Sequence, residues 1–245
     1  MSPHAEPADT VIEARWVIPL EPARDVLADH SVVITGDRIA AILPTPQVRA
    51  SYRPRQRFEL AGHALIPGLI NLHAHAAMTL MRGLADDLSL MDWLNQRVWP
   101  AEMRHVSDSF VHDGTRLACA EMLRGGVTSF NDMYFFPRAT ARAAREAGMR
   151  AVLGLIAVEF PSPYASDAQD YLSKGLALRD ELRNEPLISF CLAPHAPYTV
   201  SDPTLRQIAT FASELDLPVH MHVHETRLEI EQSLKDHGMR PLQRL

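Results

Sequence analysis

The segment Ala64-Leu-Ile-Pro-Gly-Leu-Ile-Asn-Leu-His-Ala-His75 is almost wholly apolar and closes on two histidines spaced His-x-His. Side chains two apart on an extended strand share a face. His73 and His75 are therefore expected side by side at the end of a buried strand, and a continuous apolar run is what a strand of a parallel sheet looks like. Two imidazoles at the mouth of such a strand are costly to bury without a partner, and a metal ion is a natural one.

A second cluster lies far downstream. Pro218-Val-His-Met-His-Val-His-Glu-Thr226 also ends a short apolar run. His220, His222 and His224 alternate and nominally share a face. Zinc favours imidazole and commonly sits on three protein groups with one position open. Two histidines from one strand and one from another supply that set. Glu225, next to the cluster, is a candidate acid or base for an activated water.

The elements between the clusters alternate. Strands are expected at Ala64–Leu72, Val127–Met133, Arg150–Val158, Leu187–Ala193 and Val219–His222. Helices are expected over Val111–Arg124, closing on Gly125-Gly126, over Arg138–Ala147, closing on Gly148, and over Asp167–Glu185. A further helix starts at Asp202-Pro203, and the last covers Thr226–His237. Strands that alternate with helices predict an α/β fold with a parallel sheet. Upstream, Thr10–Pro19, His30–Ile34 and Arg38–Leu43 read as shorter strands, the last two joined at Gly36-Asp37. The expected division is residues 1–63 and residues 64–245.

Composition narrows the functional classes. The 245 residues are 47% hydrophobic and 22% charged, ordinary for a globular protein long enough to bury a core. A formal charge of −6 argues against nucleic-acid binding, which wants a basic surface. There is no apolar run long enough to span a bilayer and no amino-terminal leader pattern, so a cytoplasmic protein without membrane partners is expected. Cys119 and Cys191 read as small buried apolar residues rather than a bridge.

Pro67-Gly-Leu-Ile-Asn-Leu-His-Ala-His75 resembles the first-strand signature of the amidohydrolase superfamily. Met78-Thr-Leu-Met-Arg-Gly-Leu84, Trp93-Leu94, Trp99-Pro-Ala-Glu102, Ala193-Pro-His-Ala-Pro-Tyr198 and His222-Val-His-Glu-Thr226 narrow the resemblance. They are similar to the branch of 5-methylthioadenosine/S-adenosylhomocysteine deaminases, with triazine hydrolases and guanine deaminases as neighbours. The resemblance implies a (β/α)8 TIM barrel preceded by part of a small β-sandwich. It implies one metal ion per subunit, Zn2+ first and Fe2+ or Mn2+ as alternatives, on His73, His75 and His222. Glu225 is then the proton shuttle, while Trp93, Glu102, His195 and Glu225 meet the substrate. The implied reaction is hydrolytic deamination of an adenosine-like nucleoside by metal-bound hydroxide. A guanine or cytosine deaminase, or a triazine chlorohydrolase, keeps the same site.

His220 reads as a hydrogen-bonded core histidine, and His224 as a residue of the rim. Asp132 reads as structural. About five of the eight units of a closed barrel are visible. The expectation is therefore an amino-terminal part of a longer protein lacking the carboxyl-terminal half of the barrel, with a partner or a homo-oligomer as the other way to cover the open side. An inactive fragment that still binds metal is the third functional reading.

Overall fold

A computed structural model describes residues 5–21 and 25–245. The chain divides between Gly68 and Leu69 into two compact units.

The first unit is a four-stranded sheet in the order β3-β2-β1-β4. Its strands are β1 (Glu6–Val17), β2 (Leu27–Thr35), β3 (Arg38–Pro44) and β4 (Tyr52–Leu65), with helix α1 (Thr45–Ser51) before β4. β1, β2 and β3 pair antiparallel, and β4 runs parallel to β1. Gly36, at φ 60, turns the β2–β3 hairpin, and its N–H donates to Asp9 Oδ2 at 2.7 Å. Val11, Val33 and Val48 form a small core in which α1 takes part. Glu13, buried in this sheet, accepts from Arg49 and Arg57, and the Arg49 guanidinium holds its carboxyl below the usual range.

β4 and α1 were not foreseen. Arg53, Pro54, Arg55, Gln56 and Arg57 give β4 no apolar alternation, yet it lies at the edge of the sheet, where proline and solvated charge are tolerated. One sheet and one helix make up this unit among the described residues.

The second unit carries four parallel strands, β5 (Leu69–Ala74), β6 (Val127–Asp132), β7 (Arg150–Ala157) and β8 (Ile188–Pro194), in sequence order. Helices α4 (Asp108–Arg124), α5 (Pro137–Glu146), α6 (Ala168–Leu182) and α7 (Asp202–Leu215) alternate with them. Ser107, Asp167 and Ser201 cap α4, α6 and α7 through their side chains. Phe130, Leu153, Leu155, Leu172, Leu192 and Ile208 are buried in the core of this unit. Between β5 and α4 lie a 3-10 turn (Ala76–Met81), helix α2 (Leu90–Trp93), a π turn (Leu94–Val98) and helix α3 (Trp99–His105). Helices α8 (Arg227–His237) and α9 (Pro241–Arg244) close the sequence.

Three expectations need correction. The run Ala64–Leu72 is two strands, because Ile66-Pro67-Gly68 interrupts it and Pro67 has no N–H to give a ladder. β5 is an edge strand rather than a doubly buried one: Ile70 and Leu72 are 66% and 67% exposed. Val219–His222 lies along β8, but its ladder is reduced to a single bridge at Val219. His220 N–H donates to Leu192 O and His222 N–H to His195 O, while Pro194 between them can return no bond.

Candidate metal and acid–base site

Every candidate residue stands at or beyond the carboxyl end of a parallel strand, where βα-loops converge. His73 and His75 leave the end of β5 on one face. The backbone of β6 fastens that end: Met133 N–H donates to Ala74 O at 3.0 Å. Asp132 Oδ1 accepts Ala76 N–H at 2.6 Å, and its Oδ2 accepts the Thr140 hydroxyl at 3.3 Å. Asp132 is thus fully buried and structural, and burial pushes its carboxyl up to about 6. Gly114 of α4 lets the turn after His75 pack closely, since a Cβ there would fall 2.5 Å from Ala77 O.

His75 Nδ1 lies 2.7 Å from Met133 O. A carbonyl only accepts, so Nδ1 carries the proton and Nε2 keeps its lone pair. His222 meets the pair from the segment beside β8. The three ring centroids are 5.0 to 5.2 Å apart, and one nitrogen from each ring lies within 4.8 Å of the others. Burial lowers the affinity of His75 for a second proton, and burial with the neighbouring imidazoles brings His222 down to about 3. Both are therefore neutral near pH 7, the state in which imidazole is a ligand.

His195 follows β8, its ring centroid 5.1 Å from that of His222. Its Nδ1 is 3.0 Å from Thr199 Oγ1, whose own proton goes to Ala196 O at 3.1 Å. Nδ1 is then the donor, and Nε2 is left bare. Burial lowers His195 to about 4.

Glu225 is held by two devices. The Tyr198 hydroxyl donates to its Oε2 at 2.9 Å. Its backbone N–H, and that of His224, donate to Glu229, which also caps α8 with Thr226. Thr226 caps α8 through its side chain, and Glu229 in the first turn reaches back past it to the N–H groups of His224 and Glu225, so the start of α8 and the seat of Glu225 are one local structure. His224, at φ 58, accepts the Leu242 N–H on Nε2 at 3.5 Å and stands at the rim. His220 is half-buried and makes no side-chain hydrogen bond among the described residues, so the hydrogen-bonded core role expected of it is not realised there.

One cavity is lined by His75, His195, His222, Glu225, Trp93 and Glu102. His73 joins through its rings rather than the cavity wall. Glu102 of α3 is only 7% exposed, and it accepts the Tyr134 hydroxyl on Oε1 at 2.7 Å. Burial raises its carboxyl to about 7, against the lowering effect of that hydrogen bond. A larger hollow, about 800 Å3, lies beside α7 against Val219 and Leu245, and holds none of these groups.

Tyr134 and the Met133 carbonyl were missed. The run Tyr134-Phe135-Phe136 directly after a strand end was the available signal, but an aromatic run reads first as core. Tyr198 stood in a recognised motif without an assigned role. Cys119 and Cys191 are buried free thiols, as expected.

Residues 64–245 match the Amidohydrolase family. The chain is 47% identical over 239 residues to a 5-methylthioadenosine/S-adenosylhomocysteine deaminase of Saccharophagus degradans, covering 98% of this chain and 54% of that protein. It is 49% identical over 237 residues to the protein of the same name from Teredinibacter turnerae, covering 97% and 54%. A crystal structure of an adenosine deaminase from Xanthomonas campestris with bound zinc superposes with a TM-score of 0.94 at 45% identity, over 98% of this chain and 55% of that one. The chain thus spans about half the length of the curated relatives it matches. Paired histidines at the end of the first parallel strand, a third beside the last, and a family match over most of the sequence agree: this chain belongs to the amidohydrolase family.

Proposed function

We propose that the intact protein is a zinc-dependent hydrolytic deaminase of an adenosine-like nucleoside. The observation that carries this reading is the meeting of three imidazoles, His73, His75 and His222, with Glu225 and Glu102 close by. The donor set fits a zinc ion: three nitrogen ligands, with the His75 tautomer fixed by Met133 O so that Nε2 is free. Iron or manganese would suit the same ligands less selectively. The name of the relatives and the zinc of the Xanthomonas structure support the same assignment.

When bound, the ion supplies Lewis acidity and makes water a competent nucleophile near neutral pH. The remaining work falls to side chains. Glu225 Oε2 is engaged by Tyr198, so Oε1 is the oxygen that takes a proton from water and returns it to the departing amine. Water adds at the amine-bearing ring carbon, and ammonia leaves. His195, neutral and with Nε2 bare, meets the ring or its exocyclic group. Trp93 covers the base, and Glu102 accepts from the sugar hydroxyls through the oxygen that Tyr134 leaves free.

The parallel strands β5 to β8, with Val219 beside them, are read as the opening five units of an eight-unit barrel. In this reading the first unit belongs to a small sandwich. No helix of the described residues is long and apolar enough to cross a membrane. A small-molecule nucleoside as partner and buried free thiols fit the cytoplasm.

The test is release of ammonia from 5-methylthioadenosine by the zinc-loaded protein, with guanine and a chlorotriazine in parallel. Turnover of either of the latter alone would move the substrate class. Bound metal with no turnover of any would favour a metal-binding role without catalysis.

A further inference from the structure

The loop at residues 195–201, between β8 and α7, carries both His195 and Tyr198. Much of it is closed by local bonds. Thr199 N–H and the Thr199 hydroxyl donate to Ala196 O, and Ala196 N–H donates to Thr199 Oγ1. Two of its main-chain carbonyls, on Pro197 and Val200, are met instead by Arg244 of α9. Arg244 Nη1 donates to Pro197 O at 2.6 Å, and Nη2 reaches Val200 O at 3.5 Å. Its Nε and Nη2 also donate to Asp202 Oδ1, at 2.8 and 2.5 Å, where α7 begins. The Arg244 side chain is only 12% exposed. A guanidinium is a rigid planar fork, so these bonds fix their acceptors relative to one another.

The Pro197 carbonyl belongs to the peptide that leads into Tyr198. Holding that oxygen sets the plane from which the Tyr198 side chain departs. The Tyr198 ring stands edge-on to His195, and its hydroxyl reaches Glu225 Oε2. Glu225 itself is exposed and follows a segment with a single ladder bridge to β8, so sheet register does little to orient its carboxyl.

We propose that Arg244 is a positioning residue for the acid–base step: by clamping the Pro197–Tyr198 peptide it seats the Tyr198 hydroxyl on Glu225 Oε2 and keeps Oε1 as the oxygen that moves the proton. The proposal rests on the reading of Glu225 as proton carrier. Arg244 does not line the cavity of the histidines, so its effect passes through the loop.

The experiment measures ammonia release from 5-methylthioadenosine by the intact zinc-loaded protein. Tyr198→Phe and Arg244→Ala should each lower kcat roughly tenfold or more, with KM and zinc content little changed. The double variant should be no slower than the slower single one, because both changes break the same chain of contacts. Added guanidinium ion should restore kcat several-fold in Arg244→Ala, and not once Tyr198→Phe is also present. A crystal structure of Arg244→Ala should show Tyr198 parted from Glu225. Arg244→Lys, which keeps the charge without the fork, carries the same test if the alanine variant does not fold.

Losses that multiply in the double variant would overturn the proposal and leave the deaminase reading standing. So would an unchanged kcat in folded Arg244→Ala, or a Tyr198–Glu225 hydrogen bond retained in its crystal structure. Absence of ammonia from every nucleoside with the parent protein would sink the deaminase reading and this proposal together.

Discussion

The Tyr134 hydroxyl donates to Glu102 Oε1 across 2.7 Å, joining the loop after β6 to helix α3 inside the cavity that holds the histidines. It is the one hydrogen bond a protein group makes to this carboxyl among the described residues, and burial outweighs it. The Glu102 carboxyl therefore loses its proton only near pH 7 rather than near 4.5. A group whose affinity for protons rises on folding stabilises the fold at low pH, and that contribution is lost as pH climbs through the folded value.

Glu102→Gln should therefore be more stable than the parent at pH 8, by on the order of 2 kcal/mol. The two should melt alike near pH 4.5. Melting temperatures across that range check it. In the proposed function the same change weakens nucleoside binding about tenfold or more, because a diol donates better to a carboxylate than to an amide. A destabilised variant at pH 8 would contradict the burial argument.

Tyr134→Phe removes the group that favours ionised Glu102. The carboxyl should then titrate at still higher pH, and nucleoside binding should become optimal at more alkaline pH. The cost in stability is about 1 to 3 kcal/mol at pH 8, where the buried carboxylate is left without a donor. Binding affinity measured from pH 6 to 9 separates this from a simple packing loss, which would lower affinity evenly.

Zinc retention should sort the histidines. His73→Ala, His75→Ala and His222→Ala should each lose the ion on dialysis, whereas His195→Ala should keep it, because its ring is outside the chelating group of three. Asp132→Asn, which loosens the turn after His75, should weaken metal affinity by about 10- to 100-fold. Elemental analysis of dialysed protein reads all five.

Acid should act on the fold through these imidazoles. His195 and His222 take a second proton only near pH 4 and 3 in the folded chain, against about 6.5 when exposed. Groups with depressed values of this kind contribute fully above pH 6.5, and the contribution is lost as pH falls toward the folded values. At pH 4 the loss from His195 alone is about 3 kcal/mol. His195→Gln should flatten the fall in denaturation midpoint between pH 6.5 and 4, and an unaltered slope would refute it.

Gly114→Ala tests the packing behind the site. The new methyl would sit 2.5 Å from Ala77 O and 2.9 Å from Ala77 Cα, both backbone atoms. Alanine favours the helix by about 1 kcal/mol, but overpacking costs about 1 to 3. A net loss of stability on a urea curve is expected, together with weaker zinc binding, since Ala77 follows His75 by two residues.

The pairing of His73 with His75 was legible from the strand period, whereas His222 was singled out from His220 and His224 only by the His-x-x-Glu pattern of the resemblance; the structure brings these three rings together. The alternating α/β order was legible from glycines at helix ends, as at Gly125-Gly126 and Gly148, and from the helix start at Asp202-Pro203. β4 was not, since an edge strand needs no apolar alternation and this one carries Arg53, Arg55 and Arg57. The break at Pro67-Gly68 was hidden by the apolar residues on either side of it. Tyr134 was hidden for a different reason: it lies in the loop after β6 and its partner Glu102 on helix α3, and nothing in one-dimensional spacing brings the two together.

His75 owes its tautomer to the main-chain oxygen of Met133, not to any side chain. Every amino acid carries that oxygen, so replacing Met133 leaves the acceptor in place. Inserting or deleting a residue in β6 would move it. The His75 imidazole is thereby insulated from point mutation next door and exposed to changes in strand register, so an indel in β6 would reach it where a substitution at Met133 would not.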